Sequence, residues 1–392
     1  MAEAVITAVA RTAVGTANKG TLLDMDPYEL GTLTVAEIMN RSGIDPELVD
    51  DVILAETLHG GGAIARYAAD AAGLVNAPGA ALNRHCASGL SAIATGAASV
   101  MAGMDKVIIA GGTHSSSLSP RPKRRVPFTD EVSDWFPLSH IPTPDAPAMD
   151  MSITVGWNAA RKTGLTREQL DAWALRSHQR AIAGIDSGAF KEEIFGLEVK
   201  KRDGSVVTFD TDEHPRRGTS LEKLASLKPL HPEIECFSIT AGNASGINDG
   251  AGAVLLGESA LVGRLGLPTL AVIKAWANSG ITPADTGLAP LKAIPKVLGR
   301  AGLAITDVDL WEINEAFASV PLAACKELNI DEELVNVLGS GCSIGHPIAM
   351  TGVRQVASLI FELRRRGGGI GVSAMCAGGG MASAMVLEVP AP

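Results

Sequence analysis

A run of small residues dictates most of what this chain can fold into. Most positions from 86 to 104 are Ala, Ser or Gly, with few large apolar side chains among them, and Asp105 and Lys106 follow at once. Such a helix has no polar face for water and too little bulk for lipid, so it reads as a helix buried inside the protein. It leads into Val107, Ile108, Ile109 and Ala110 and then Gly111-Gly112, a buried strand ending in glycines. The second half of the chain repeats the arrangement: a helix over residues 346–366 leads into a strand over 370–374 and then into Gly378, Gly379 and Gly380. About 40 residues ahead of each helix stands the same prelude of helix end, turn and buried strand, from Gly43-Ile44 to Leu54 and from Gly302-Leu303 to Trp311. The duplicated strand–helix–strand pattern predicts two α/β domains packed against each other.

Between the halves the chain changes character. Residues 115–147 are rich in proline, carry the basic run Arg121, Lys123, Arg124, Arg125, and show little periodicity, so they read as loop. Thr166-Arg167-Glu168-Gln169 then opens an amphipathic helix, with Thr166 as its N-cap. The predicted division is an N-terminal half over 1–116 completed by 249–268, a loop or lid domain over 117–248, and a C-terminal half over 269–392.

At 392 residues the chain is long enough for large cores, built from Ala, Val, Leu and Ile because only 4% of the residues are aromatic. A formal net charge of −10 argues against nonspecific nucleic-acid binding. The five cysteines are an odd number without a CxxC pair, which implies neither a disulfide framework nor a zinc site and suits a reducing, cytoplasmic setting. Met1-Ala2-Glu3-Ala4-Val5-Ile6 enters a strand-like run without a basic n-region, which speaks against a signal peptide. No membrane span and no metal are expected.

Four blocks carry chemistry. Cys86 lies in Asn83-Arg84-His85-Cys86-Ala87-Ser88-Gly89-Leu90, Cys376 in Met375-Cys376-Ala377-Gly378-Gly379-Gly380, and between them come Asn314-Glu315-Ala316-Phe317 and Gly345-His346-Pro347. Two thiols beside glycines, with one histidine and one asparagine, suit carbon–carbon bond chemistry on acyl thioesters: one thiol carries an acyl group while the other moves a proton. Each residue also has a plainer reading. Cys86 at a predicted helix start is favoured as thiolate by the macrodipole, yet most lone cysteines in Ala/Gly helices are small core residues. His346 reads equally as a turn histidine, Cys376 as a buried strand-end thiol and Asn314 as a helix N-cap. Ser245 sits in a glycine-rich turn, and the basic run is by default a solvated loop.

Taken in order and spacing, these blocks resemble the thiolase family, the acetyl-CoA acyltransferases, along nearly the whole chain. The resemblance implies two duplicated α/β halves with mixed five-stranded sheets and buried central helices, plus an inserted loop domain that covers the site and binds coenzyme A. It implies that Cys86 takes the acyl group, that His346 deprotonates it and helps stabilise the enolate oxygen, and that Cys376 is general acid and base at the α-carbon. The amides of Cys86 and Gly378 would form the oxyanion hole, Asn314 would hold a water, and Ser245 would contact the pantetheine arm. Coenzyme A and acyl-CoA are then substrates, with no further cofactor, and a homodimer or homotetramer is expected. The basic run would meet the 3′-phosphate of coenzyme A or a neighbouring subunit.

The chain departs from the family pattern at Gly339-Ser340-Gly341-Cys342-Ser343, at Ala349-Met350-Thr351-Gly352, where bulky Met350 is expected to reshape the acyl pocket, and at residues 151–158, one residue longer than usual. A ketoacyl synthase is a second reading, though it lacks the thiol before the glycine run; a noncatalytic lipid-binding relative is a third. Direction and acyl chain length are not written in these residues.

Overall fold

The computed structural model describes residues 2–392 apart from Leu58 and Gly60. Its main sheet contains β1 (Ala4–Arg11), β2 (Asp51–Ala55), β3 (Gly79–Leu82), β4 (Val107–Ser115), β5 (Asn248–Glu258), β6 (Ala271–Gly280), β7 (Leu310–Ile313), β8 (Gly369–Ala377) and β9 (Met381–Val389). The helices that matter for the site are α1 (Pro27–Ser42), α2 (Ser88–Ala102), α3 (Arg167–Ser187), α4 (Pro290–Ala301) and α5 (Thr351–Arg365). Among the described residues, no helix is long and apolar enough to cross a membrane.

Local signals set the boundaries. Asp26 caps α1 by accepting from the Tyr28 amide, Pro27 occupies its first turn, and Gly43 stops it in the left-handed region at φ 61°. In the second half Pro290 opens α4 and Gly302 stops it at φ 70°. Thr166 and Gln169 form a reciprocal capping box at the head of α3.

The sheet runs in the order β3-β2-β4-β5-β1-β6-β9-β8-β7. In the first half β2 is parallel to β3 and β4, and β5 is antiparallel to β4 and β1. The second half repeats this: β7 is parallel to β8, and β9 is antiparallel to β8 and β6. In place of β3 it has a single parallel bridge, Trp311 to Val335, so the fifth strand expected there is reduced to one residue. The halves join through a short antiparallel ladder, Val5 to Val272 and Ile6 to Ala271.

Three apolar clusters fill the layers. One lies under α1, another under α4 and the helix Ser319–Leu328, and the third wraps α2 and α5 between the two halves. The small residues of α2 have a specific use there. A Cβ on Gly89 would stand 2.4 Å from the carbonyl oxygen of Ala349, and one on Gly352 would stand 2.3 Å from the Leu90 nitrogen. The heads of the two central helices therefore touch at backbone distance, and an added methyl would cost about 1–3 kcal/mol through overpacking.

The extra residue noted near Met151 also has a structural form. Residues Ser152–Trp157 make a π-helical turn running directly into the helix Asn158–Thr163, so one surplus residue is absorbed as a wider turn without breaking the helix.

Candidate active site

In each half the candidate residues lie at or just after the ends of parallel strands, β3 in the first half and β7 and β8 in the second. Cys86 follows β3. Asn83 Oδ1 accepts from the His85 amide at 2.9 Å, His85 is left-handed at φ 47°, and its carbonyl accepts from the Ser88 amide at 3.0 Å and the Ser88 hydroxyl at 2.6 Å. This tight turn delays α2 until Ser88, two residues past the start of the small-residue run, and leaves Cys86 just ahead of the helix.

Burial pushes the Cys86 pKa up to about 11, and the nearby backbone amides of Gly378 and of Cys86 itself pull it down in part. The thiol is therefore protonated at rest. Cys376 ends β8, is 1% exposed, and has its pKa raised by burial first and by its neighbour Cys86 second. The two thiols and the Gly378 amide thus share one pocket.

His346 lies in the turn before α5, which starts only at Thr351 because Gly345, at φ 107°, packs its Cα against Asn248 and Pro347 follows the histidine. Asn248 Oδ1 accepts from the His346 amide at 3.0 Å. The ring is oriented by Thr351. That hydroxyl donates to the Pro347 carbonyl at 2.8 Å, so toward His346 Nδ1, at 2.7 Å, it can only accept. The network therefore assigns the proton to Nδ1 and leaves Nε2 bare, with Asn314 Nδ2 donating to it at 3.4 Å. Burial first, and then the charge of Arg354, hold the His346 pKa down at about 3, so the ring is a neutral base. Arg354 is itself buried and paired with Glu312 at 2.7 Å.

Asn314 follows β7, fully buried, with its amide on the Ala374 carbonyl at 3.0 Å, so β7 and β8 set Asn314 and Cys376 side by side. Its Oδ1 makes no hydrogen bond among the described residues and lies toward Gly341, an orphan acceptor on the residue that meets His346. Ser245 is half-buried, and its amide donates to the Ala316 carbonyl at 3.0 Å, which ties its turn to the Asn314 block.

Three residues escaped the sequence reading. Glu315 is a buried carboxylate that accepts from Trp173, Ser177, Asn336 and the Cys342 amide and so clamps the Asn314 block to α3 and to the loop before His346. Thr351 and Asn248 orient His346, and both stand in blocks singled out for other reasons. One expectation is corrected: Met350 is fully buried in the apolar cluster of the first half with Ile344 and Leu338, so its bulk fills core and does not face an acyl pocket.

Residues 4–260 match the family model described as thiolase, N-terminal domain, and residues 267–389 match thiolase, C-terminal domain. The chain belongs to the thiolase family. It is 41% identical to the acetyl-CoA acetyltransferase of Pseudomonas aeruginosa and 37% identical to that of Cupriavidus necator, in each case with 99% of this chain covered and with 99% and 100% of the relative. Among solved structures it superposes on the Bacillus anthracis acetyl-CoA acetyltransferase with a TM-score of 0.92 at 38% identity, over 99% of both chains. Against human mitochondrial 3-ketoacyl-CoA thiolase the TM-score is 0.90 at 33% identity, over 100% of this chain and 99% of that one. Within this thiolase, Cys342 is a structural thiol: it is buried, its amide is bound by Glu315, and its sulfur lies 3.7 Å from the Asn243 carbonyl.

Proposed function

We propose that this thiolase transfers acyl groups between acyl-CoA and coenzyme A through an acyl-enzyme on Cys86, cleaving 3-ketoacyl-CoA or condensing two acyl-CoA molecules. The observations that support this reading are the closeness of the Cys86 and Cys376 thiols, the Gly378 amide beside Cys86, and the contact of His346 Nε2 with Asn314, whose amide is bonded to the strand that carries Cys376.

In the cleavage direction the Cys86 thiol gives its proton to His346 Nε2 as its sulfur bonds to the 3-keto carbon. The oxygen of the tetrahedral intermediate is held by the amides of Cys86 and Gly378. The bond between C2 and C3 then breaks, its electron pair passes into the enolate of acetyl-CoA, and Cys376 protonates C2. The enolate oxygen is stabilised by His346 and by a water for which Asn314 Oδ1 is the free acceptor. In the second half-reaction the coenzyme A thiol gives its proton to Cys376 and bonds to the acyl carbon, and Cys86 leaves with the proton from His346. Cys86 and His346 are both neutral at rest, so the negative charge on the substrate oxygen develops where the oxyanion donors meet it.

Ser245 is the proposed contact for the pantetheine arm, and residues 117–248 form the cover between the halves over 1–116 with 249–268 and over 269–392. Coenzyme A and acyl-CoA serve as substrates with no added cofactor. The basic run lies on an exposed hairpin, Lys123–Arg125 paired with Val132–Asp134, and Arg124 borders a cleft with Trp135, Phe136, Leu138 and Met149. That hairpin fits a role in covering coenzyme A and in joining dimers of a homotetramer. A place in fatty-acid β-oxidation and a cytoplasmic location complete the proposal. The test is thiolysis of acetoacetyl-CoA by added coenzyme A, followed by turnover across a series of 3-ketoacyl-CoA chain lengths; no turnover of any member overturns the reading.

A further inference from the structure

His85 and Ser139 stand beside the candidate nucleophile without a part in the chemistry above. The backbone of His85 is fixed by Asn83 and Ser88, but its imidazole makes no hydrogen bond with any described residue. The ring lies against Gly378. A methyl built on that glycine would stand 3.8 Å from His85 Cγ and 3.6 Å from both Ser139 Cβ and Ser139 Oγ, ordinary van der Waals distances. Two half-buried polar side chains therefore flank a methyl-sized space on the residue whose amide reaches the Cys86 sulfur.

The protons in this wall are fixed by its outer members. His140 Nε2 lies 2.9 Å from the Ala146 carbonyl, which can only accept, so Nε2 carries a proton and, in the neutral tautomer this selects, Nδ1 is bare. Ser139 Oγ, 2.8 Å from that Nδ1, must then donate to it, and the Ser139 oxygen presents only lone pairs on its other side. Burial lowers the His85 pKa, and the neutral ring offers one donor and one acceptor nitrogen. A hydroxyl that donates to Ser139 and accepts from His85 satisfies both. A carboxylate would face the lone pairs of Ser139, and a methyl would leave both groups unpaired at a cost.

We propose that His85 and Ser139 form a specificity subsite for a hydroxyl group on the acyl chain carried by Cys86. This deepens the thiolase reading and rests on it. The matched probes are 3-oxopentanoyl-CoA and its analogue in which the terminal methyl is replaced by hydroxyl, assayed beside acetoacetyl-CoA. The wild-type protein should favour the hydroxyl analogue in kcat/KM by about tenfold or more. His85→Leu and Ser139→Ala should each collapse that ratio; the serine change keeps the backbone conformation and guards against misfolding of the first variant. Turnover of acetoacetyl-CoA without a hydroxyl preference, or a preference that survives both substitutions, overturns the subsite alone. No turnover of acetoacetyl-CoA overturns the thiolase reading and the subsite with it.

Discussion

The two halves share a strand order and differ in what stands at the strand ends. After β2, Glu56 spends its carboxylate on the amides of Gly62 and Ile64, at 2.6 and 3.2 Å. After β7, the matching strand, Asn314 faces His346 and keeps a free acceptor. Near the end of β4, His114 is satisfied on both ring nitrogens, by Thr57 at 3.2 Å and Ser116 at 2.9 Å. Near the end of β8 stands Cys376, paired through its backbone with Ala382 and with its thiol close to Cys86. Ahead of the central helices the first half places a thiol and the second a base. Duplication thus supplies the geometry twice, while polar groups are left free mainly in the second half. One half offers the proposed nucleophile and the other the proposed acid–base machinery.

That division can be broken experimentally. The largest effect is expected from Cys86→Ser, because a hydroxyl pKa is far too high for a thiolate-like nucleophile. Radiolabelled acetyl-CoA should label the wild type and spare the variant; equal labelling would move the nucleophile elsewhere. Cys376→Ser should still accept acetyl on Cys86 yet lose about 10²–10⁴-fold in carbon–carbon cleavage. Normal thiolysis by this variant would remove the second half's claim to proton transfer.

Acid should unfold the protein from both halves. Burial holds His114 and His346 down at about 3, and His178 and His214 at about 4. Above the ordinary histidine pKa of about 6.5 neither state binds these protons, whereas below it the unfolded chain takes up protons the folded one refuses. Stability should therefore fall as pH drops from about 6.5 toward 4, by up to about 1.4 kcal/mol per pH unit for each histidine. Urea midpoints at pH 7 and pH 5 measure this, and equal midpoints would contradict the burial of these neutral rings.

Thr351→Val keeps shape but removes the acceptor for His346 Nδ1. A loss of about tenfold in kcat with little change in KM is expected, the worth of one hydrogen bond. The smallest effect should come from replacing Arg121, Lys123, Arg124 and Arg125 by Ala. These exposed charges are worth little singly, so a rise of about two- to fivefold in KM for coenzyme A, or a shift of mass toward dimer by sedimentation, is expected. If neither changes, the basic run is only a solvated loop.

Much of this was legible before the fold was known, for physical reasons. Gly43 and Gly302 stop helices because only a left-handed residue ends them that way, and both are visible as letters. The small residues of α2 announced a buried helix, and Gly89 against the Ala349 carbonyl adds how closely a neighbour approaches it. Helix starts were misplaced by two residues at Cys86 and five at His346, because the turns before α2 and α5 depend on Asn83, Ser88 and Asn248. Met350 was misjudged since its position between functional blocks says nothing of which way its side chain points. The roles of Glu315 and Thr351 were hidden because their partners are remote in sequence or fixed by the direction of one hydroxyl proton.

The place of β9 in the sheet bears on how the protein is made. It follows every other strand of the sheet in sequence, yet it lies inside the sheet, hydrogen-bonded to β8 on one side and β6 on the other. During synthesis Cys86 emerges from the ribosome long before Cys376, and β6 waits with an open edge until β9 clears the exit tunnel. A chain stopped short of Met381 would leave β8 and β6 each with one open edge where β9 should lie.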